Sequence, residues 1–259
     1  MKMLIILLCV IFIFFIIEIF YTKKELFDSD LDFNSKLVKD FSLDLIKFNL
    51  ITEPTTDITK FKTFYNQSIF PQLKNVNYRI ILKELTSYIK TNNSNWSNWV
   101  EYDLWKSNSK SSWTIIPLMA FGIWSKSNIK LFPKTVLELK QIPNLVSAGF
   151  SKLGPGTTLK LHKGWANLSN AVLRCHLGLQ VPTKCQIFVL GESNDTMIQS
   201  TGKWIIFDDS LYHSAKNLHK TKDRIVLILD ILRPEHIPAG ISDVKESDEL
   251  NKFIDEFNK

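Results

Sequence analysis

The sequence predicts a mainly β domain, with strands arranged as a barrel or sandwich and helices at its flanks, behind a single N-terminal transmembrane helix. From Val146 onward, short runs of β-branched and aromatic residues alternate with Gly or Pro turns, a pattern typical of all-β folds. The nine glycines begin only at Gly122, so the tight turns that need positive φ are expected from that residue onward. A long apolar run near the N terminus predicts the membrane segment.

The N-terminal run is long enough to cross a bilayer. Residues 4–21 hold 17 apolar residues out of 18, interrupted by Glu18, and can just span a membrane as a helix. A cleaved signal peptide would need a shorter apolar stretch and a small-residue cleavage site, whereas bulky residues continue here up to Lys23. We therefore expect an uncleaved single-pass anchor over residues 1–24, in type II orientation, in the endoplasmic reticulum or another endomembrane. A buried helix of a soluble protein is the alternative.

Composition excludes several classes of protein. The chain of 259 residues is 45% hydrophobic and 22% charged, which is globular composition and excludes wholesale disorder. Three cysteines are too few for a small disulfide-stapled scaffold. The net charge of +6 suggests a nucleic-acid partner, but basic residues are interleaved with Asp and Glu, which indicates a mixed solvated surface. We expect no nucleic-acid partner.

The remaining elements are assigned in chain order. Residues 25–76 are polar and mixed, and we interpret them as a stalk and the edge of the domain that fills residues 77–259. Asn77–Lys90 predicts a helix, because its apolar residues recur at helical spacing after a capping Asn. Phe132–Leu139 predicts a short helix with Pro133 near its start. Val244–Phe257 predicts an amphipathic helix at the C terminus. The predicted strands lie in residues 146–153, 157–162, 171–181, 185–190, 203–207 and 224–232.

Two histidines lie at the ends of predicted strands. His162 ends the segment TTLKLH and His213 follows FDDSLY, so both could converge on one metal at the mouth of a barrel. Imidazole suits iron, zinc or copper, and non-haem Fe(II) oxygenases use two His and usually a carboxylate. Scattered histidines are more often surface or core residues, and that interpretation stays open on the histidines alone.

Several polar residues could bind an anion beside these histidines. Strand alternation places Arg174 and His176 on one face and Cys175 on the other. Such a pair facing a barrel interior is costly unless it meets an anion, although a solvated Arg at the rim is the alternative. Ser151 precedes a turn, and Arg224 opens a strand so apolar that its guanidinium is expected at the mouth.

Four motifs in this order make the chain resemble a known family. They are FSKLGPGTTLKLHKGWAN, LRCHLGLQVP, GKWIIFDDSLYHSAKN and DRIVLILDILRP, within residues 115–234. The chain resembles the aspartyl/asparaginyl β-hydroxylase family of Fe(II)- and 2-oxoglutarate-dependent oxygenases. The resemblance implies a double-stranded β-helix, or jelly roll, that uses Fe(II), 2-oxoglutarate and O₂.

The resemblance also implies roles for individual residues. Iron would be held by the catalytic histidines His162 and His213. One carboxylate of 2-oxoglutarate would be met by Arg174 and His176. The other carboxylate would be met by Ser151 and Arg224.

The third metal ligand of most oxygenases of this class is missing. Where those enzymes have His-x-Asp/Glu, this chain has His162-Lys163-Gly164. The family that the chain resembles also has glycine at the third position. Asp208 and Asp209 are the nearby acids that could substitute. Their place in FDDS predicts instead that they shape the turn before His213 by accepting backbone hydrogen bonds.

The resemblance leaves the substrate open. We expect a membrane-anchored dioxygenase that hydroxylates the β-carbon of Asp or Asn side chains in a protein or peptide. A membrane-associated oxygenase that hydroxylates lipid acyl chains is the second hypothesis. A catalytically inactive binding module of the same fold is the third.

Overall fold

A computed structural model describes residues 60–91, 96–105, 111–245 and 247–248, which fall within one unit of the chain. The predicted anchor over residues 1–24, most of the predicted stalk and most of the predicted C-terminal helix lie outside these ranges. Within them, no helix has the length and apolar character needed to cross a membrane.

Eleven strands and five α-helices make up the described residues. The strands are β1 (Phe64–Tyr65), β2 (Ser97–Asn98), β3 (Trp113–Ala120), β4 (Ile123–Trp124), β5 (Leu145–Leu153), β6 (Val172–Gln180), β7 (Cys185–Val189), β8 (Asp195–Ile198), β9 (Trp204–Phe207), β10 (His213–Asn217) and β11 (Arg224–Leu232). The helices are α1 (Tyr78–Thr91), α2 (Tyr102–Trp105), α3 (Asn128–Leu131), α4 (Pro133–Leu139) and α5 (Ala166–Ser169), with 3₁₀ turns at Gln67–Ile69 and Pro71–Asn75.

The strands form two antiparallel sheets. The larger sheet has the order β1-β9-β6-β11-β5-β3-β2, with β4 paired to β3, and the smaller one has the order β10-β7-β8. From β5 onward the chain passes repeatedly from one sheet to the other and back, which is the strand order of a jelly roll. The expected mainly β fold with flanking helices is confirmed.

One predicted strand is corrected. Residues 157–162 form only isolated bridges to β10, Thr158 with Lys216 and His162 with His213. The register shifts by one residue between these two bridges, and between them the backbone N–H of Lys160 donates to the carbonyl of Leu104 in α2. The segment still lies beside β10, so it closes the smaller sheet without being regular.

Six strands were missed by the sequence pattern, and three of them, β3, β8 and β10, are longer than two residues. β3 contains Pro117, a residue that argues against a strand. β8 is exposed along its whole length and shows no alternation. β10, which begins at His213, lacks the β-branched residues that favour a strand. All three strands are defined by their pairing partners rather than by their own composition.

Strand alternation gives the larger sheet two different faces. Leu173, Cys175 and Leu177 of β6 belong to a core that includes helices α1, α3 and α4. The alternate residues of β6, Arg174 and His176, point to the other face. That face packs against the smaller sheet through a second core, which holds Trp113, Ile115, Leu153, Ile187, Val189, Ile205, Phe207, Leu211 and Ala215. The predicted separation of Arg174 and His176 from Cys175 is confirmed.

The two predicted helices are confirmed. Asn77 accepts a hydrogen bond through its side chain from the N–H of Arg79, and α1 buries Ile81, Leu85 and Tyr88 against the sheet. Pro133 is the first residue of α4, where its missing N–H costs nothing.

The helix layer is joined by one carboxylate. Glu84 of α1 accepts hydrogen bonds from the N–H of Lys134 at 2.9 Å and from the N–H and hydroxyl of Thr135 at 2.7 Å each. These amides open α4 and have no intrahelical partner, so Glu84 caps the helix from a neighbouring element.

We expect Glu84→Ala to lower the free energy of unfolding by about 1–2 kcal/mol, because the first amides of α4 lose a charged acceptor. Urea unfolding followed by circular dichroism measures the change. Lys83→Ala, on the exposed side of the same helix, is the control. Equal unfolding midpoints for the two variants would contradict the capping role.

Candidate active site

The two predicted metal-binding histidines are neighbours. The backbone N–H of His162 donates to the carbonyl of His213 at 3.0 Å, and the N–H of His213 donates back at 2.8 Å. This pairing places the two imidazole rings with their centroids 4.3 Å apart. The bridge between segment 157–162 and β10 therefore brings together residues 51 positions apart in the chain.

Both imidazoles are held in the tautomer that suits a metal. Nδ1 of His162 lies 2.7 Å from the carbonyl of Lys160, and Nδ1 of His213 lies 2.9 Å from that of Leu211. Because a nitrogen facing a carbonyl must carry the proton, Nε2 of each ring is left as the lone-pair donor. Desolvation lowers the pKa of His162 to about 3 and that of His213 to about 4, so both rings are neutral.

Asp209 faces the histidines rather than the turn. Its Oδ1 lies 3.3 Å from Nε2 of His213, and its Oδ2 is buried with no hydrogen-bond partner among the described residues. A Cβ atom on Gly164 would collide with Oδ2, so a side chain at position 164 would displace the Asp209 carboxylate. The acid weighed in the sequence as a turn residue thus occupies the space where a third ligand would lie.

Asp208 takes the role expected of both acids. Its Oδ1 accepts from the backbone N–H of Ser210 at 3.0 Å and from the Ser210 hydroxyl at 2.6 Å. Arg233 donates to both of its oxygens. The prediction of a turn-shaping carboxylate is therefore confirmed for Asp208 and wrong for Asp209.

Arg174 is neutralised within the protein. Its Nε and Nη2 donate to the two oxygens of Asp230 at 2.8 and 3.0 Å, and its Nη1 donates to Asp209 at 2.6 Å. Burial opposes the charged form, but the two carboxylates outweigh it and raise the pKa of Arg174. A role for Arg174 in binding 2-oxoglutarate stays a prediction, because two acids already match its charge.

Arg224 differs from Arg174 in its partners, which carry no negative charge. Its side chain is 1% exposed, Nε donates to Oε1 of Gln199 at 2.7 Å, and Nη2 lies 3.2 Å from Nδ1 of His176. Within the part of the chain that the structure describes, no carboxylate forms an ion pair with this guanidinium. Desolvation lowers the pKa of Arg224 to about 10.

His176 completes this second cluster. Its Nε2 is buried and has no hydrogen-bond partner in the described residues, and desolvation holds its pKa well below the ordinary value. The ring of Phe207 packs between the two sites, 5.1 Å from His176 and 5.3 Å from His213 by ring centroids. Gln199 was not singled out in the sequence, since its role depends on a contact with Arg224 across the fold.

Ser151 lines a cavity of about 140 Å³. Its hydroxyl accepts from the indole N–H of Trp113 at 3.0 Å. His162, Arg174 and Asp209 also border the cavity. The apolar part of the wall includes Ile115, Pro117, Met119, Ala120, Phe121 and Leu168.

The donor set fits a divalent transition metal such as iron at the histidine pair. Two neutral imidazoles with centroids 4.3 Å apart each leave Nε2 as the lone-pair donor, and the Asp209 carboxylate adds negative charge beside His213. Across residues 60–91, 96–105, 111–245 and 247–248, no three side chains of the His, Cys, Asp or Glu type form a group able to hold a metal ion. The assignment of His162 and His213 as metal ligands therefore stays a prediction that rests on these two imidazoles.

Comparisons with a family model and with known proteins point to the same family. The model of the family described as Aspartyl/Asparaginyl beta-hydroxylase matches residues 75–234. An ornithine lipid ester-linked acyl 2-hydroxylase of Rhizobium tropici is 39% identical over 127 residues, 49% of this chain and 44% of the relative. The human aspartate beta-hydroxylase domain-containing protein 2 is 30% identical over 168 residues, 61% of this chain and 43% of the relative.

The chain spans less than half the length of these relatives. Among solved structures, an oxidoreductase of the 2OG-Fe(II) oxygenase family from Burkholderia pseudomallei aligns with a TM-score of 0.42 at 8% identity, over 61% of this chain and 81% of that one. This low overlap adds nothing to the family assignment.

We expect His162→Ala and His213→Ala each to abolish stoichiometric binding of ferrous iron, because one remaining imidazole is too weak a site. Anaerobic titration calorimetry with Fe(II) measures the binding. His236→Ala changes an exposed histidine of the same chain and is the control. Unchanged iron affinity in either site variant would exclude that residue as a ligand.

Proposed function

The chain belongs to the aspartyl/asparaginyl β-hydroxylase family, and from that premise we propose that it is an Fe(II)- and 2-oxoglutarate-dependent oxygenase that hydroxylates its substrate. The proposal rests on one observation above all. Arg224 is fully buried and has no carboxylate partner in the described residues. It contacts His176, whose buried Nε2 has no hydrogen-bond partner there. The imidazole pair of His162 and His213 lies on the other side of the Phe207 ring.

The buried guanidinium predicts an anionic ligand. An isolated charge in the protein interior is costly unless a partner of opposite sign satisfies it. Arg224 offers N–H donors, and His176 offers its Nε2. Ser151 of β5 offers a hydroxyl on the same face of the sheet, because it pairs with Val226, which lies two residues from Arg224 on β11. A small dicarboxylate such as 2-oxoglutarate fits this set.

The histidine pair fits iron, which with 2-oxoglutarate supplies the oxidising chemistry when bound. His162 and His213 contribute two neutral nitrogens whose orientation is fixed by backbone carbonyls. Asp209 holds Arg174 at the cavity wall and faces His213. His162 and His213 are the protein ligands that we propose for this iron among the described residues.

The wall of the cavity favours an apolar substrate. Ile115, Leu168 and the other apolar residues named above line the cavity that His162 also borders. Such a wall suits a hydrocarbon chain, and the Rhizobium relative is named for hydroxylating a lipid acyl chain. An N-terminal anchor over residues 1–24 would keep the domain at a membrane surface, where acyl chains are available. We therefore place lipid acyl chains before protein side chains as substrate.

Hydroxylation of Asp or Asn side chains in a protein or peptide is the second candidate. It is supported by the family description and by the names of the vertebrate relatives. The apolar wall offers such a side chain few partners, which is why this candidate comes second.

A catalytically inactive binding module is the least favoured of the three hypotheses. The two histidines that would hold the metal and the cluster that would hold 2-oxoglutarate are both present. Iron-dependent release of succinate separates an enzyme from a binding module.

We expect Arg224→Gln to raise the KM for 2-oxoglutarate about ten- to a hundredfold, because a buried carboxylate loses a charge-assisted hydrogen bond. Succinate release at varied 2-oxoglutarate measures the KM. Arg79→Gln, the same substitution at an exposed position of α1, is the control. Equal KM values in the two variants would contradict the assignment of Arg224.

The substrate is identified by a mass gain of about 16 Da, the mass of one oxygen atom, on lipid extracts or on peptides incubated with the protein. We expect the gain on lipid acyl chains. Ala120→Phe narrows the apolar wall, so the ratio of hydroxylated lipid to succinate should fall several-fold. A gain on Asp- or Asn-containing peptides alone, with no change of that ratio, would favour the second candidate.

A further inference from the structure

A carboxylate at the cavity wall is left out of the site described above. Glu101 borders the cavity together with three tryptophans. Its Oε2 accepts from the indole N–H of Trp99 at 3.1 Å, and its Oε1 accepts from the indole N–H of Trp165 at 3.2 Å. Neither donor carries a charge, so the carboxylate is oriented without being neutralised.

The tryptophans make this carboxylate rigid. The ring of Trp99 stacks on Trp113 with centroids 5.0 Å apart and on Trp165 with centroids 5.6 Å apart. Trp113 and Trp165 are buried, so the stack is part of the protein's packing. Large aromatic side chains in contact hold the two indole N–H groups in place, and these groups fix both oxygens of Glu101.

Among the described residues, no cation forms an ion pair or hydrogen bond with Glu101, although the nearby charge of Arg174 favours the ionised carboxylate. In the residues that the structure describes, the positive groups at the cavity are Lys163 and Arg174. Lys163 forms an ion pair with Asp243 at 2.8 Å, and Arg174 forms its ion pairs with Asp209 and Asp230. Each of these cations therefore already has an acidic partner.

The cavity wall carries an excess of negative charge. It holds three carboxylates, Glu101, Asp209 and Asp230, against the two cations. Burial raises the pKa of the Glu101 carboxyl, which reflects the cost of keeping this charge partly out of water. A negatively charged substrate group would meet repulsion here, whereas a positive group would lower the cost.

We propose that Glu101 binds a protonated amine of the substrate, so that the cavity accepts an apolar chain that carries a cationic group. The inference rests on the proposed hydroxylase function and names its substrate class more closely. The apolar wall from Ile115 to Leu168 takes the chain, and Glu101 takes the amine. Of two molecules with equal chains, the protein would select the one with an ammonium group over one with a hydroxyl or a carboxylate.

The selection can be measured without catalysis. Hexylammonium, hexanol and hexanoate share one chain and differ in charge, and their binding to the full chain in non-ionic detergent is followed by tryptophan fluorescence and calorimetry. Three of the seven tryptophans of the chain lie at this cavity wall, so they contribute to the fluorescence change, and calorimetry gives the affinity independently. We expect hexylammonium to bind about tenfold more tightly than hexanol, and hexanoate to bind weakest.

Glu101→Gln should reduce the preference for hexylammonium over hexanol to about one, because a neutral amide offers no charge. Glu235→Gln, at an exposed position of the same chain, should keep the preference. Equal binding of hexylammonium and hexanol to the unchanged chain, or an undiminished preference in Glu101→Gln, would overturn the inference. If Glu101→Gln does not fold, the three-probe series on the unchanged chain decides.

Succinate release from the same preparations keeps this test separate from that of the proposed function. Normal succinate release with no amine preference overturns the amine site and leaves the hydroxylase in place. An amine preference without iron-dependent succinate release supports the amine site and counts against the hydroxylase.

Discussion

Matching of buried charge governs the inner face of the larger sheet. Arg174 and Arg224 lie on that face, on strands β6 and β11 that pair with each other. Arg174 is matched by Asp230, its direct cross-strand partner, and by Asp209 from the turn before β10. Arg224 is matched by no carboxylate in the described residues. The charge of the first arginine is therefore neutralised inside the protein, and the uncompensated charge of the second is the basis on which a ligand is proposed there.

The proposed metal site depends on ion pairs of the same kind. The turn before β10 carries two adjacent acids with separate tasks. Asp208 ties the turn to Arg233 and Ser210, and Asp209 reaches Arg174 and His213. Gly164 is required opposite Asp209 because any side chain there would collide with the carboxylate. The absence of a third ligand at position 164 is therefore part of the packing of this site rather than a defect in it.

The substrate side of the cavity combines two kinds of wall. Apolar residues of β3 and α5 lie on one part, and Glu101 held by the indole N–H groups of Trp99 and Trp165 lies on another. Because Lys163 and Arg174 are already paired, the charge available to a substrate there is negative. This charge is what distinguishes an amphiphile with an amine from an aspartyl side chain as the preferred occupant.

Local spacing in the sequence is sufficient to predict the mainly β fold, the helices around residues 77–90 and 132–139, and the alternation that separates Arg174 and His176 from Cys175. The places of His162 and His213 near strand ends were likewise visible in the sequence. The pairing of Arg174, the lack of an acidic partner for Arg224 among the described residues, the contact of Asp209 with His213, and the positions of Gln199 and Glu101 were visible only in three dimensions. These facts depend on contacts between residues far apart in the chain, and the energy of a buried charge is set by its neighbours in space.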